Sequence, residues 1–189
     1  DSDIVTLGEL LENLKNKPRK WVIGGGSAVG GWDHLKVLMA AKEYGISNVR
    51  KIKYVSFDGG GDAVTQLLAG NVQIFTGDVS EIKGFVDAGD IKIIAVLSPD
   101  RLPGDFSKFY TAKEQGVNVV GANWRGFYVP KGMSDDAYNF WAGAIKKMYD
   151  TPQWKKTMAK NGLAPLDLSG KAFEAFVANS VASIQTISK

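Results

Sequence analysis

The chain has 189 residues, 44% hydrophobic and 23% charged, the balance of a soluble globular protein of one large domain or one and a half small ones. It contains no cysteine, which excludes disulfides, a thiolate nucleophile and Cys-ligated zinc. The formal net charge is +3, with Lys and Arg scattered among acids, so no linear basic tract points to DNA or RNA and the slight excess favours a small anionic partner.

No apolar run approaches the roughly 20 residues that span a bilayer. The chain opens at Asp1-Ser2-Asp3 with neither an initiator Met nor a signal segment, which reads as a natural start that has been removed. Thr6 is placed to cap a helix in which Leu7, Leu10, Leu11 and Leu14 recur at helical spacing. Lys15 to Lys20, with Pro18, is a turn. Trp21-Val22-Ile23 is a short buried strand that runs into Gly24-Gly25-Gly26, and a helix carrying Leu35, Leu38 and Met39 follows, stopped by Gly45.

The unit then repeats. Strand 52–55 leads through Gly59-Gly60-Gly61 to a helix over 63–69, and strand 72–75 leads through Thr76-Gly77-Asp78 to a helix over 80–88. Ile91 to Leu97 reads as a further strand. This alternation predicts an α/β fold built on a mainly parallel sheet with helices on both faces. Beyond residue 100 the pattern predicts a polar loop, a short helix over 111–115 and a strand within 119–129. Helices then follow over 134–149, 152–160 and 170–187, with Ser134 as N-cap and Pro152 at a helix start. These late helices have few strands to pack on, and Pro130-Lys131-Gly132 marks the change of rhythm.

The strongest chemical signal is the strand, glycine loop and helix start from Val22 to Leu35. Glycines let the backbone approach a ligand closely, and the unpaired amides of a first helical turn favour an anion. Gly26, Ser27, Ala28, Gly30 and Gly31 are the expected grip on one carboxylate, with Ser27 adding a hydroxyl. A dinucleotide fingerprint fails at Val29, and a P-loop fails for want of a Lys after Gly30 or Gly31. The loops at 56–62 and 76–80 repeat the arrangement more weakly. All three loops follow parallel strands, so they are expected to gather on one sheet edge, with Asp78, Val79 and Ser80 toward the far end of the ligand.

Asp58 and Asp62 lack the spacing of an EF-hand and read as caps or turn residues. His34 is the sole histidine, so zinc is not implied. Ser27 sits in no nucleophile elbow, and His34 is expected to orient the glycine loop by hydrogen bonding. Arg125, within Asn123-Trp124-Arg125-Gly126, can fork onto a carboxylate or make a structural ion pair. No catalytic residue, metal or cofactor is expected. The rival readings are an α/β enzyme acting on a small anion and a ligand-sensing subunit of a signalling system.

At Gly24-Gly25-Gly26-Ser27-Ala28 with Asp33-His34-Leu35, at Tyr54-Val55-Ser56-Phe57 before Gly59-Gly60-Gly61, and at Leu67 to Val72, the chain resembles extracytoplasmic substrate-binding proteins of the tripartite tricarboxylate transporter family. Asp87-Ala88-Gly89-Asp90-Ile91, Asn123-Trp124-Arg125-Gly126 and the region through Phe173 match as well. The resemblance implies a two-lobed periplasmic Venus-flytrap fold that closes on a carboxylate and delivers it to membrane permease subunits. It also implies that an N-terminal signal and much of the first lobe precede this stretch. Residues 5–125 would then form the second, ligand-binding lobe and 126–189 the helical end of the first. Such a chain alone is expected to bind its ligand at about millimolar strength or weaker, because two or three hydrogen bonds barely offset the cost of association. The apolar faces of Ala142, Ile145 and Met148 and of Phe173, Phe176 and Val177 are expected to favour a dimer. Val29 and Trp32 are bulkier than the small residues typical of that loop.

Overall fold

The computed structural model describes residues 2–187. They form two compact units that divide between Asn123 and Trp124, ahead of the Pro130-Lys131-Gly132 turn.

In the first unit, helix α1 (Leu7–Asn16) begins as its sequence predicts. The Thr6 hydroxyl accepts the Glu9 amide at 3.2 Å, and the Glu9 carboxylate accepts the Thr6 and Val5 amides at 3.0 and 2.8 Å. These reciprocal bonds satisfy donors that a helix start leaves unpaired, and they hold the Glu9 carboxyl below its usual range. Leu7, Leu10, Leu11 and Leu14 all point inward and join Ile23, Ala40, Ala41, Ile46, Ile52, Val117 and Val119 in one core.

Strands β1 (Val22–Gly25), β2 (Lys53–Ser56) and β3 (Ile74–Thr76) form a wholly parallel sheet in the order β2-β1-β3. Ile23 pairs with Tyr54 on one side and Ile74 on the other. Helix α2 (Trp32–Glu43) links β1 to β2, helix α3 (Gly60–Leu68) links β2 to β3, and helix α4 (Val79–Ala88) follows β3. The expected α/β architecture with a parallel sheet is the one found.

The central strand runs two residues further than its apolar run suggests, through Gly24 and Gly25. Space explains the glycine. A Cβ on Gly25 would lie 2.5 Å from the Tyr54 hydroxyl, 2.9 Å from Asp33 Cβ and 2.9 Å from the Thr76 carbonyl.

Two expected strands do not form. Residues 91–97 reduce to a single parallel bridge, Val96 to Thr111. Val96 bonds the backbone of Tyr110 and Ala112, while the Ile94 carbonyl accepts the Gln115 side chain at 2.8 Å. An amide side chain thus takes one of the bonds that a neighbouring strand would have taken. Within 119–129 no strand forms either; Gly121 makes one bond to the Leu97 carbonyl, at 2.8 Å. The helix expected at 111–115 is a turn that ends at Gly116, held by Thr111 and Glu114 bonding each other's amides.

The second unit contains helices α5 (Asp135–Asp150), α6 (Pro152–Lys160) and α7 (Gly170–Ile187). Ser134 and Thr151 cap the first two through their hydroxyls, and Pro152 opens α6. Asp167 and Asp150 both bond the Lys146 ammonium and raise its pKa well above the usual lysine range. Trp124 meets Phe173 and Phe176 edge-on, each at 5.5 Å. Helix α5 buries no residue, and Ala142, Ile145, Met148, Phe173, Phe176 and Val177 are half-buried.

Candidate anion site at the sheet edge

The loops that follow β1, β2 and β3 leave the same edge of the parallel sheet, and the first two touch. A Cβ on Gly26 would lie 2.5 Å from the Gly60 amide nitrogen. The Phe57 amide bonds the Gly25 carbonyl at 3.0 Å, and the Thr76 hydroxyl bonds the Asp33 carbonyl at 3.1 Å.

The loop after β1 is fastened at both ends. Tyr54 donates its hydroxyl to the Ser27 carbonyl at 2.7 Å. His34 accepts the Gly30 amide on Nδ1 at 3.0 Å, as expected of an orienting residue. The two rings lie 4.6 Å apart. Accepting on Nδ1 requires a neutral imidazole with its proton on Nε2. Burial acts in the same direction, lowering the His34 pKa below its usual 6.5 and raising that of Tyr54 above 10.0.

This geometry corrects part of the expected grip. The Gly30 amide is committed to His34, and the Gly31 amide bonds the Ala28 carbonyl at 2.7 Å. Gly30, with φ at +86°, and Gly31 therefore shape the loop and present no free amide. The Ser27 Oγ accepts the Asp33 amide of the first turn of α2 at 3.0 Å and lies 3.5 Å from the Tyr54 hydroxyl, to which it can donate because the Tyr54 hydrogen goes to the Ser27 carbonyl. Ala28 and Val29 are exposed, and among the described residues their amides have no protein acceptor. Two consecutive amides and the positive end of α2 make up the donor set, and a ligand would compete with Tyr54 for the Ser27 hydroxyl.

The second and third loops carry their own anion. The Glu81 carboxylate accepts the Asp78 amide at 2.9 Å and lies against Gly60, in the first turn of α3, and Gly77. The Asp78 carboxylate accepts the Asn123 side-chain amide through both oxygens, at 3.2 and 3.0 Å. Asp78 therefore ties the loop down rather than facing a ligand with free donors. Val79 and Ser80 open α4 and are half-buried. Arg125 lies in the second unit and is exposed. In its segment, Trp124 and Gly126 pack on Phe173. Among the described residues no group of three metal-ligating side chains occurs.

Three residues of this edge escape a reading of the sequence: Tyr54, Glu81 and Lys36. Lys36 is 4% exposed, pairs with Asp33 at 2.9 Å and donates to the Gly77 carbonyl at 3.3 Å, so it joins α2 to the third loop. The i,i+3 spacing of Asp33 and Lys36 was the available signal. Beside the loop, His34 and Tyr54 also line a cavity of about 240 Å³ with Val29, Leu38, Val49, Arg50 and Ile52.

The family model of the tripartite tricarboxylate transporter family receptor matches residues 1–189. A UPF0065 protein from the gbd 5′ region of Cupriavidus necator is 24% identical over 181 residues, which is 96% of this chain and 53% of that protein. A ligand-free solute-binding protein from Polaromonas is 25% identical with a TM-score of 0.77, covering 99% of this chain and 62% of the other. A Rhodopseudomonas palustris protein solved with adipate is 20% identical with a TM-score of 0.84, covering 98% and 60%. The chain thus spans about half the length of that Cupriavidus relative.

Proposed function

This chain belongs to the tripartite tricarboxylate transporter receptor family, and we propose that it captures a small carboxylate in the periplasm and passes it, chemically unchanged, to membrane permease subunits. The observation that carries the reading is the fastened glycine loop. His34 and Tyr54 hold it so that the Ala28 and Val29 amides stay open beside the start of α2. A carboxylate has two oxygens and needs little more than two amides and the Ser27 hydroxyl; a triphosphate would need more donors and a cation. The R. palustris neighbour holds adipate, which places a dicarboxylate in a related fold. Gly26, Gly30 and Gly31 give the loop its shape, and Val79 and Ser80 are proposed to face the distal part of the ligand.

The test is calorimetry and thermal shift with mono-, di- and tricarboxylates, and with their neutral amides as controls, followed by recovery of the ligand. Carboxylates should bind, raise the melting temperature and return intact, while the amides do neither. If amides and acids act alike, or if product accumulates, the reading fails.

A further inference from the structure

Basic residues that lie far apart in the sequence meet at the edge of the sheet opposite the glycine loops. Lys17, Arg19 and Lys20 belong to the turn that leads into β1, and Lys51 ends a 3₁₀ turn just before β2. Because β1 and β2 are paired and parallel, the residues that precede them share one edge. These four side chains surround a depression of about 530 Å³ whose other lining residue is Pro18. Lys53, the first residue of β2, follows close on Lys51, and residues 17–21 and 51–53 contain no acid.

We propose that this basic face docks the chain on an anionic phospholipid surface. All five cations are exposed, and among the described residues none is in an ion pair. In the remainder of the chain acids outnumber bases, so the charge is polarised toward this edge. Four of the five are lysines, hydrated point charges on flexible stems. Such groups suit a fluid array of lipid phosphates, whereas a fixed protein carboxylate is better matched by a planar arginine fork. The Lys20 ammonium lies 5.5 Å from the ring of Trp21, which is half-buried and packs against the core. A cluster of about four to eight cations is the size that holds proteins on anionic bilayers, each charge strengthening attachment about fivefold. The ligand loops lie on the other edge of the sheet and stay uncovered, so the inference does not depend on what they bind.

The experiment is co-sedimentation of the chain with phosphatidylcholine vesicles, with and without about one third phosphatidylglycerol. The quadruple variant Lys17→Gln, Arg19→Gln, Lys20→Gln, Lys51→Gln changes only exposed side chains and is checked for folding by circular dichroism. A control variant, Lys113→Gln, Lys131→Gln, Lys155→Gln, Lys171→Gln, removes the same charge from elsewhere. Binding is expected only with phosphatidylglycerol, to be lost in about 0.5 M salt, and to weaken about a hundredfold or more in the first variant but only a few-fold in the control. Equal loss in both variants would assign the effect to net charge and overturn the proposal. Equal binding to both vesicle types, or no binding to either, would overturn it too. Capture by a poly-glutamate peptide with no vesicle binding would assign the face to an acidic protein partner instead.

Discussion

His34 accepts the amide of Gly30 through Nδ1 at 3.0 Å, so a side chain in the first turn of α2 fixes the backbone of the loop that leads into that helix. The bond exists only while the imidazole is neutral. Burial keeps it neutral by lowering its pKa.

This makes loop order dependent on pH. The folded pKa lies below the unfolded value of about 6.5, so the unfolded chain takes up the proton first. The stabilisation is full above about pH 6.5 and is lost as pH falls through the lower folded pKa. We expect carboxylate affinity and melting temperature to fall together through that window. His34→Asn, which keeps an acceptor but does not titrate, should flatten the step. A step of the same size in the Asn variant would place its origin elsewhere.

Tyr54→Phe removes the donor to the Ser27 carbonyl together with the longer contact to the Ser27 hydroxyl. A half-buried carbonyl left without its partner should cost about 1–2 kcal/mol in urea unfolding. Calorimetry should show a larger proportional loss in ligand affinity, because the displaced loop carries the open amides. Equal affinity in the variant would mean that the hydroxyl does not set the loop.

Lys36→Met leaves Asp33, whose side chain is 15% exposed, beside the buried site without its cation. Breaking such a pair should destabilise by about 3–5 kcal/mol. Asp33→Asn introduced together with Lys36→Met should recover much of that loss, so a double-mutant cycle measures the coupling. Additive effects would show that the two charges are independent.

The glycines of the loop should separate into two kinds. Gly26→Ala forces a methyl against the Gly59-Gly60 backbone and should cost about 1–3 kcal/mol while moving the second loop. Gly30→Ala has open space around it and pays only for a positive φ, about 1–2 kcal/mol. Comparing amide exchange at Gly60 and Gly61 in the two variants distinguishes them. Protection should change in the first and not in the second.

Much of the architecture was readable because it is local. The Thr6, Ser134 and Thr151 caps, the leucines of α1 and the βα rhythm over 22–88 each depend on neighbours within a few residues. The strand expected at 91–97 failed because an apolar run specifies burial, not a partner; Val96 found Thr111, and Gln115 took the carbonyl of Ile94. Gly30 and Gly31 were correctly placed in the loop, yet their amides were not free, since the competing acceptors are His34 and Ala28. Lys36 could not be recognised as buried, because its enclosure depends on Gly77, 41 residues away. The basic edge was invisible for the same reason: the group 17–20 meets Lys51 only across the sheet.

The carboxylate of Glu81 gives the sheet edge a fixed valency. Topology brings the starts of α2, α3 and α4 to one side, three positive ends that could each draw an anion. Glu81 occupies the first of the α3 amides' surroundings from within, and Asp78 brings its own negative charge to the start of α4. In the first turn of α2 the acid, Asp33, is paired with the Lys36 ammonium, so its charge is offset within the protein. If the site takes a dicarboxylate as proposed, Glu81 and Asp78 are expected to repel its second carboxylate, which would favour molecules whose charges are held well apart.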